Sequence, residues 1–99
     1  MTYTVVVTPE AERDLDQVFR FAALETPDRA RTFVTGLRRR LKTLAAMPRR
    51  CPRAPEDGLD GLEIRHLIHG RYRIIFAIDD PTVVILQVRH GARRPAGES

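Results

Sequence analysis

A single cysteine, Cys51, stands in the 99 residues, which excludes an internal disulfide and any Cys-x-x-Cys redox or zinc motif. No apolar run reaches the roughly 20 residues a membrane-spanning helix needs. The N-terminus also lacks the basic-then-apolar plan of a secretory signal. The expectation is a cytoplasmic protein with no membrane partner. No glycine-rich phosphate loop and no Ser-His-Asp order is present. A metal site would require His66, His69, His90 and Cys51 to converge, yet His66 and His69 fall on opposite faces of one strand. No metal and no cofactor are therefore expected. Aromatic residues are scarce too, at 6%, and the two that fall in the C-terminal strands, Tyr72 and Phe76, point to the presumed core, so no platform for stacking bases is expected.

What remains is enough for one small domain. A chain that is 42% hydrophobic and 30% charged can build a core and is not compositionally disordered. The net charge of +4 is uneven: residues 1–37 hold four Arg against six acids, and residues 38–99 hold thirteen Lys or Arg against seven. The second half suits a polyanionic partner, nucleic acid or acidic protein, and equally a plain solvated basic surface.

Local signals set the element order. Residues 3–7, YTVVV, form an apolar strand, expected at or near the middle of a sheet because it is apolar on both faces. Thr8-Pro9 is an N-cap followed by proline at the first helical position, with Glu10 and Glu12 at the positive end of the dipole. Ala11, Leu15, Val18, Phe19 and Ala22 form one helical stripe, with Asp14, Asp16, Gln17 and Arg20 opposite, and the helix is expected to end near Glu25. Thr26-Pro27-Asp28 repeats the start signal for a second helix striped by Ala30, Phe33, Val34, Leu37, Leu41 and Leu44 and ended by Pro48. So short a link makes the pair an antiparallel hairpin. Gly36 inside the second helix suggests close packing against the first. Arg38, Arg39, Arg40, Lys42, Arg49, Arg50 and Arg53 gather at the negative end of the second helix and complement its dipole.

Residues 47–61 carry three prolines and two glycines, reading as an irregular loop, more mobile than all but the tail. Turns at Gly70 and Asp80-Pro81 divide the rest into strands near 62–68, 71–78 and 83–89. Tyr72, Ile74, Phe76 and Ile78 share the helix-covered face, with Val84, Leu86 and Val88 beside them. Arg71, Arg73, Ile75 and Ala77 face the other way with Ile85, Gln87 and Arg89, giving an open groove centred on Arg73. The fold class is α+β in the order β-α-α-β-β-β: a strand, a helical hairpin, then a three-stranded antiparallel meander. The domain is expected to span 1–94, with 95–99 a disordered tail.

These pieces resemble a known family. YTVVVTPEAERDL, a hairpin ending in LAAMP, R-x-L-x-x-G-x-Y-R-I-x-F-x-I-D from Arg65 to Asp79, and V-x-H-x-x-x-R from Val88 to Arg94 are, in this order, similar to the RelE/ParE superfamily of toxins from type II toxin–antitoxin modules. The resemblance implies a cognate antitoxin as partner and one of two targets. ParE-like members inhibit DNA gyrase and catalyse nothing, whereas RelE-like members cut mRNA in the ribosome; an inactive toxin-like binding module is a third reading. Cleavage is an attack of the ribose 2′-hydroxyl on the adjacent phosphate and needs a base, a cation and an acid. By resemblance, Arg73 would clamp the phosphate, His90 would move the proton, and Arg65, Arg71, Arg89 and Arg93 would contact phosphate or target. The structural alternatives are an ion pair of Arg73 with Asp79 or Glu63, a strand-end His90, and an Arg65 that bonds loop carbonyls. Where nucleolytic members carry lysines this chain has Glu63 and Arg65, and where they carry a late tyrosine it has Pro95.

Overall fold

Thr8 turns the chain from strand to helix by two bonds at once. Its hydroxyl accepts from the Ala11 amide (3.1 Å), capping the helix, and donates to the Ile85 carbonyl (2.7 Å), docking that cap on the sheet. Around this joint a computed structural model describes residues 2–58 and 61–91. The elements are β1 (Thr4–Val7), α1 (Pro9–Ala23), α2 (Pro27–Lys42), β2 (Glu63–His69), β3 (Tyr72–Asp79) and β4 (Thr82–His90). The α+β order is as expected; the proposed domain end at residue 94 and the tail lie outside the described residues.

Both helices start at their Thr-Pro signals, but only Thr8 caps with its side chain; Thr26 supplies its carbonyl alone, to the Ala30 amide. α1 closes at Ala23, two residues before expectation. α2 closes at Lys42 and hands over to a 3₁₀ turn, Thr43–Ala45, which still buries Leu44. Leu15, Val18, Leu37, Leu41 and Leu44 form the apolar layer that meets Ile74, Phe76 and Ile78.

The sheet order is β1-β4-β3-β2, with β1 parallel to β4 and the other pairs antiparallel. The expected central position of β1 is therefore wrong. The meander pairs within itself through its tight turns, which leaves β1 to add at the free edge of β4, with Val6 45% exposed. β3 is the strand buried on both faces.

A second correction concerns β4. The core takes Val83, Ile85 and Val88, not Val84, Leu86 and Val88. Phe76 pairs with Ile85 and Ile75 with Gln87, so Leu86 is an extra residue, a β-bulge that reverses the alternation halfway along the strand. Because Thr82–Val88 is apolar on both faces, no alternation in the sequence marks where it reverses. The bulge is held from the helices: Asp14, expected at the surface, accepts from the Val88 amide (2.9 Å).

Residues 47–58 do not lie free. After a 3₁₀ turn at Pro48–Arg50, the chain runs beside β2: the Ala54 amide donates to the Ile64 carbonyl (3.0 Å), and the His66 amide to the Pro52 carbonyl (3.2 Å). Asp57 accepts from the Ile64 amide (2.8 Å). Ala54, Ile64, Ile75 and Ala77, with Leu86 against them, make a second small core on the face away from the helices. The face expected to be open is thus half covered. Met47, at the head of this loop, sits in left-handed backbone at φ 48°, which costs a residue with a side chain of order 1–3 kcal/mol.

The space beside Gly36 faces β2 and not α1. A Cβ there would lie 3.6 Å from Nε2 of His69, an ordinary contact. Gly36→Ala is expected to stabilise the protein by about 0.5–1 kcal/mol, the helix-propensity gain, as a rise in the urea midpoint.

Candidate functional site

Arg73 projects from β3 into the layer beneath the loop, not into a groove. Its Nη2 donates to Glu56 Oε2 (2.8 Å), and its Nη1 to Glu56 Oε1 (3.4 Å) and to His66 Nδ1 (2.7 Å). The side chains of Arg73 and Glu56 are 8% and 6% exposed. The ion-pair alternative for Arg73 is the one realised, but with Glu56 in place of Asp79 or Glu63. Guanidinium has no acceptor, so Nδ1 of His66 must offer its lone pair, which assigns the proton to Nε2 and leaves the ring neutral. Burial, then the Arg73 charge, push the His66 pKa below its ordinary 6.5. Burial alone would raise Glu56, but the hydrogen bond from Arg73, its own backbone amide and the Arg73 charge bring it below the carboxylate range, so the pair is ionic at neutral pH.

A pH dependence follows. A base whose folded pKa is depressed contributes stability above its unfolded pKa and loses it as pH falls through and below about 6.5. The urea midpoint is expected to drop between pH 7.5 and pH 5.5, above the range where the depressed carboxylates titrate. In His66→Asn, whose Oδ1 can take the place of Nδ1, that drop should shrink.

Arg65 bonds the loop, as its structural alternative anticipated: Nη1 donates to the Cys51 carbonyl (2.6 Å) and Nε to Glu63 Oε2 (2.8 Å). Arg49 adds two bonds to Glu63 (3.0 and 3.2 Å), one to the Tyr3 hydroxyl (2.9 Å) and one to Asp80 (3.3 Å). The Arg49 bonds, then Arg65, hold Glu63 below the usual carboxylate range, which makes it a poor base. Burial pushes the Cys51 thiol up despite the charges of Arg50, Arg40 and Arg65, so it is no nucleophile.

The other candidates gather at the opposite end of the sheet. The β4 bulge turns His90 to the helix side, where it pairs with Tyr72 across the ladder, rings 5.3 Å apart and edge-on. Tyr72 meets Phe33 (5.6 Å), and Phe33 meets His69 (5.8 Å). Beside this aromatic row a recess of about 590 Å³ runs between Asp14, Gln17, Phe21, Tyr72, Arg89 and His90. A second, of about 430 Å³, continues past Leu24, Arg29 and Arg71. Phe21 and Leu24 stand 72% and 83% exposed at its lip. Arg89 donates to Gln87 (2.6 Å), which reaches Glu10 on α1 (3.1 Å).

The structure thus brings Arg71, Arg89 and His90 around Tyr72, and it separates Arg73 from His90 by the thickness of the sheet; Arg93 lies outside the described residues. Glu56, His66 and Arg73 do bring a carboxylate, an imidazole and a guanidinium together, but buried and bonded to one another; among the described residues no group of three His, Cys, Asp or Glu could hold a metal ion. No helix is long and apolar enough to cross a membrane. Sequence reasoning missed Glu56, Asp14, Phe21 and Leu24. Only Phe21 and Leu24 carried a signal, being large apolar residues off the buried stripe.

A family model described as the ParE toxin of the type II toxin–antitoxin system parDE matches residues 5–95. Among solved structures, the chain is similar to one from the chromosomal ParDE system of P. aeruginosa: 18% identity, TM-score 0.70, covering 90% of this chain and 96% of that one. It is similar to one from the toxin–antitoxin complex RelBE2 of Mycobacterium tuberculosis: 29% identity, TM-score 0.63, covering 91% and 99%. A chain of the RelE–RelB complex of Pyrococcus horikoshii OT3 superposes with TM-score 0.54 at 18% identity, covering 95% and 100%. No curated protein matches.

Proposed function

The chain belongs to the ParE toxin family of type II toxin–antitoxin systems, and from that membership we propose that it arrests growth by binding DNA gyrase rather than by cutting RNA. The observation that carries this reading is the sealing of Arg73. The cation best placed by sequence to stabilise a phosphorane is locked to Glu56 and His66 under the loop, on the face away from His90. A nuclease would have to break that buried pair before it met substrate, and burying one partner alone is costly. A toxin that works by surface contact needs no such rearrangement.

The partner is an antitoxin, since the similar solved structures come from toxin–antitoxin systems. The recess around Tyr72, with Phe21 and Leu24 at its lip and Arg29, Arg71 and Arg89 about it, suits an amphipathic segment with acidic residues on its flank.

Induction from a tight promoter tests the target. Relaxed plasmid with intact mRNA is the expected outcome. Position-specific mRNA breaks by primer extension would replace it with the RelE-like ribosome-dependent endonuclease, and unimpaired growth would leave an inactive binding module.

A further inference from the structure

The elbow between α2 and the loop carries a second surface, at the far end of the hairpin from Phe21 and Leu24, about 24 Å away along α2. Met47 is its tip. The backbone there is left-handed, the conformation glycine adopts at least cost, yet the sequence supplies a large apolar side chain and leaves it 74% exposed. Arg50 fixes this posture. Its Nη1 donates to the Ala46 and Met47 carbonyls (2.9 and 3.3 Å) and its Nη2 to the Thr43 hydroxyl (2.9 Å). Thr43 lies four and three residues after Arg39 and Arg40, so these share the helix face on which the Arg50 guanidinium rests. Arg39, Arg40 and Lys42 are exposed and form no ion pair or side-chain hydrogen bond among the described residues, and Arg50 bonds only neutral oxygens. An apolar knob braced by Arg50 thus stands at the end of a helix whose last turns add three exposed cations without an ion pair, with Arg49, bonded to Glu63 and Asp80, beside it.

We propose that this elbow is where the toxin grips its target, a protein surface offering an apolar socket rimmed by carboxylates. The inference rests on the protein-binding reading above. Charge complementarity selects an acidic partner, and the knob selects a protein over nucleic acid, since a phosphate backbone asks for cations and gains little from an exposed methionine in strained backbone.

Met47→Gly separates binding from folding, because glycine relieves the backbone while removing the knob. Purified full-length protein carrying Met47→Gly, or Arg39→Glu with Arg40→Glu, is titrated against gyrase in a supercoiling assay, with thermal midpoints measured alongside. Both variants should need at least about tenfold more protein for half-inhibition, and Met47→Gly should melt no lower than wild type. A Met47→Gly protein as potent as wild type overturns the inference alone. So does a charge-reversed protein that loses retention of duplex DNA while Met47→Gly keeps both retention and potency. Wild-type protein that spares supercoiling and breaks mRNA overturns the protein-target reading and this inference with it.

Discussion

Glu56→Ala should lower stability by about 3–5 kcal/mol, because it leaves the Arg73 guanidinium buried without its anion. The pair is almost wholly closed from solvent, with His66 bonded alongside and the Ala54, Ile64, Ile75 and Ala77 cluster on the same face of the sheet. Water cannot replace the carboxylate without lifting residues 51–58 from β2, and with them the Ala54–Ile64 and His66–Pro52 bonds. In a domain of this size each kcal/mol shifts the thermal midpoint by roughly 4–8 °C, so the loss should exceed about 12 °C. The cost belongs to the orphaned charge and not to the missing bond. Glu56→Leu combined with Arg73→Met, which removes both charges and fills the space, should therefore recover most of it. A double variant as unstable as Glu56→Ala would show that the ion pair itself holds the loop.

Asp14→Ala should cost about 1–3 kcal/mol, the desolvation of the Val88 amide that its carboxylate satisfies. The consequence is local as well as global. Val88 is two residues from His90, and the bulge is what turns His90 toward Tyr72, so the recess wall should loosen with it. Hydrogen exchange at the Val88 amide reads this directly: faster in Asp14→Ala and nearly native in Asp14→Asn, which keeps an acceptor. Unchanged protection in the alanine variant would remove Asp14 from the account.

These two residues also mark where the sequence stops being legible. Thr8-Pro9 and Thr26-Pro27 announce the helices because capping is chemistry within four residues. The Gly70 and Asp80-Pro81 turns bound the meander for the same reason. The edge position of β1 depends on which strand it meets 78 residues later, and its three valines suit an edge or a centre alike. The β4 bulge is silent in TVVILQV, since a one-residue slip exchanges one apolar face for another. Glu56 sits in a proline-and-glycine loop with no spacing to tie it to Arg73, so the arginine could be singled out while its burial could not. The R-x-L-x-x-G-x-Y-R-I run identified the family correctly, but the role of its second arginine was decided by a loop that the run does not contain.

The most direct test of the account is the supercoiling assay on Glu56→Leu/Arg73→Met protein that has been shown to fold. If Arg73 only holds the loop, this double variant inhibits gyrase as wild type does, and cells expressing it arrest with intact mRNA. A folded double variant that is inert, beside a wild type that breaks mRNA at fixed positions, would contradict the account and return Arg73 to the chemistry.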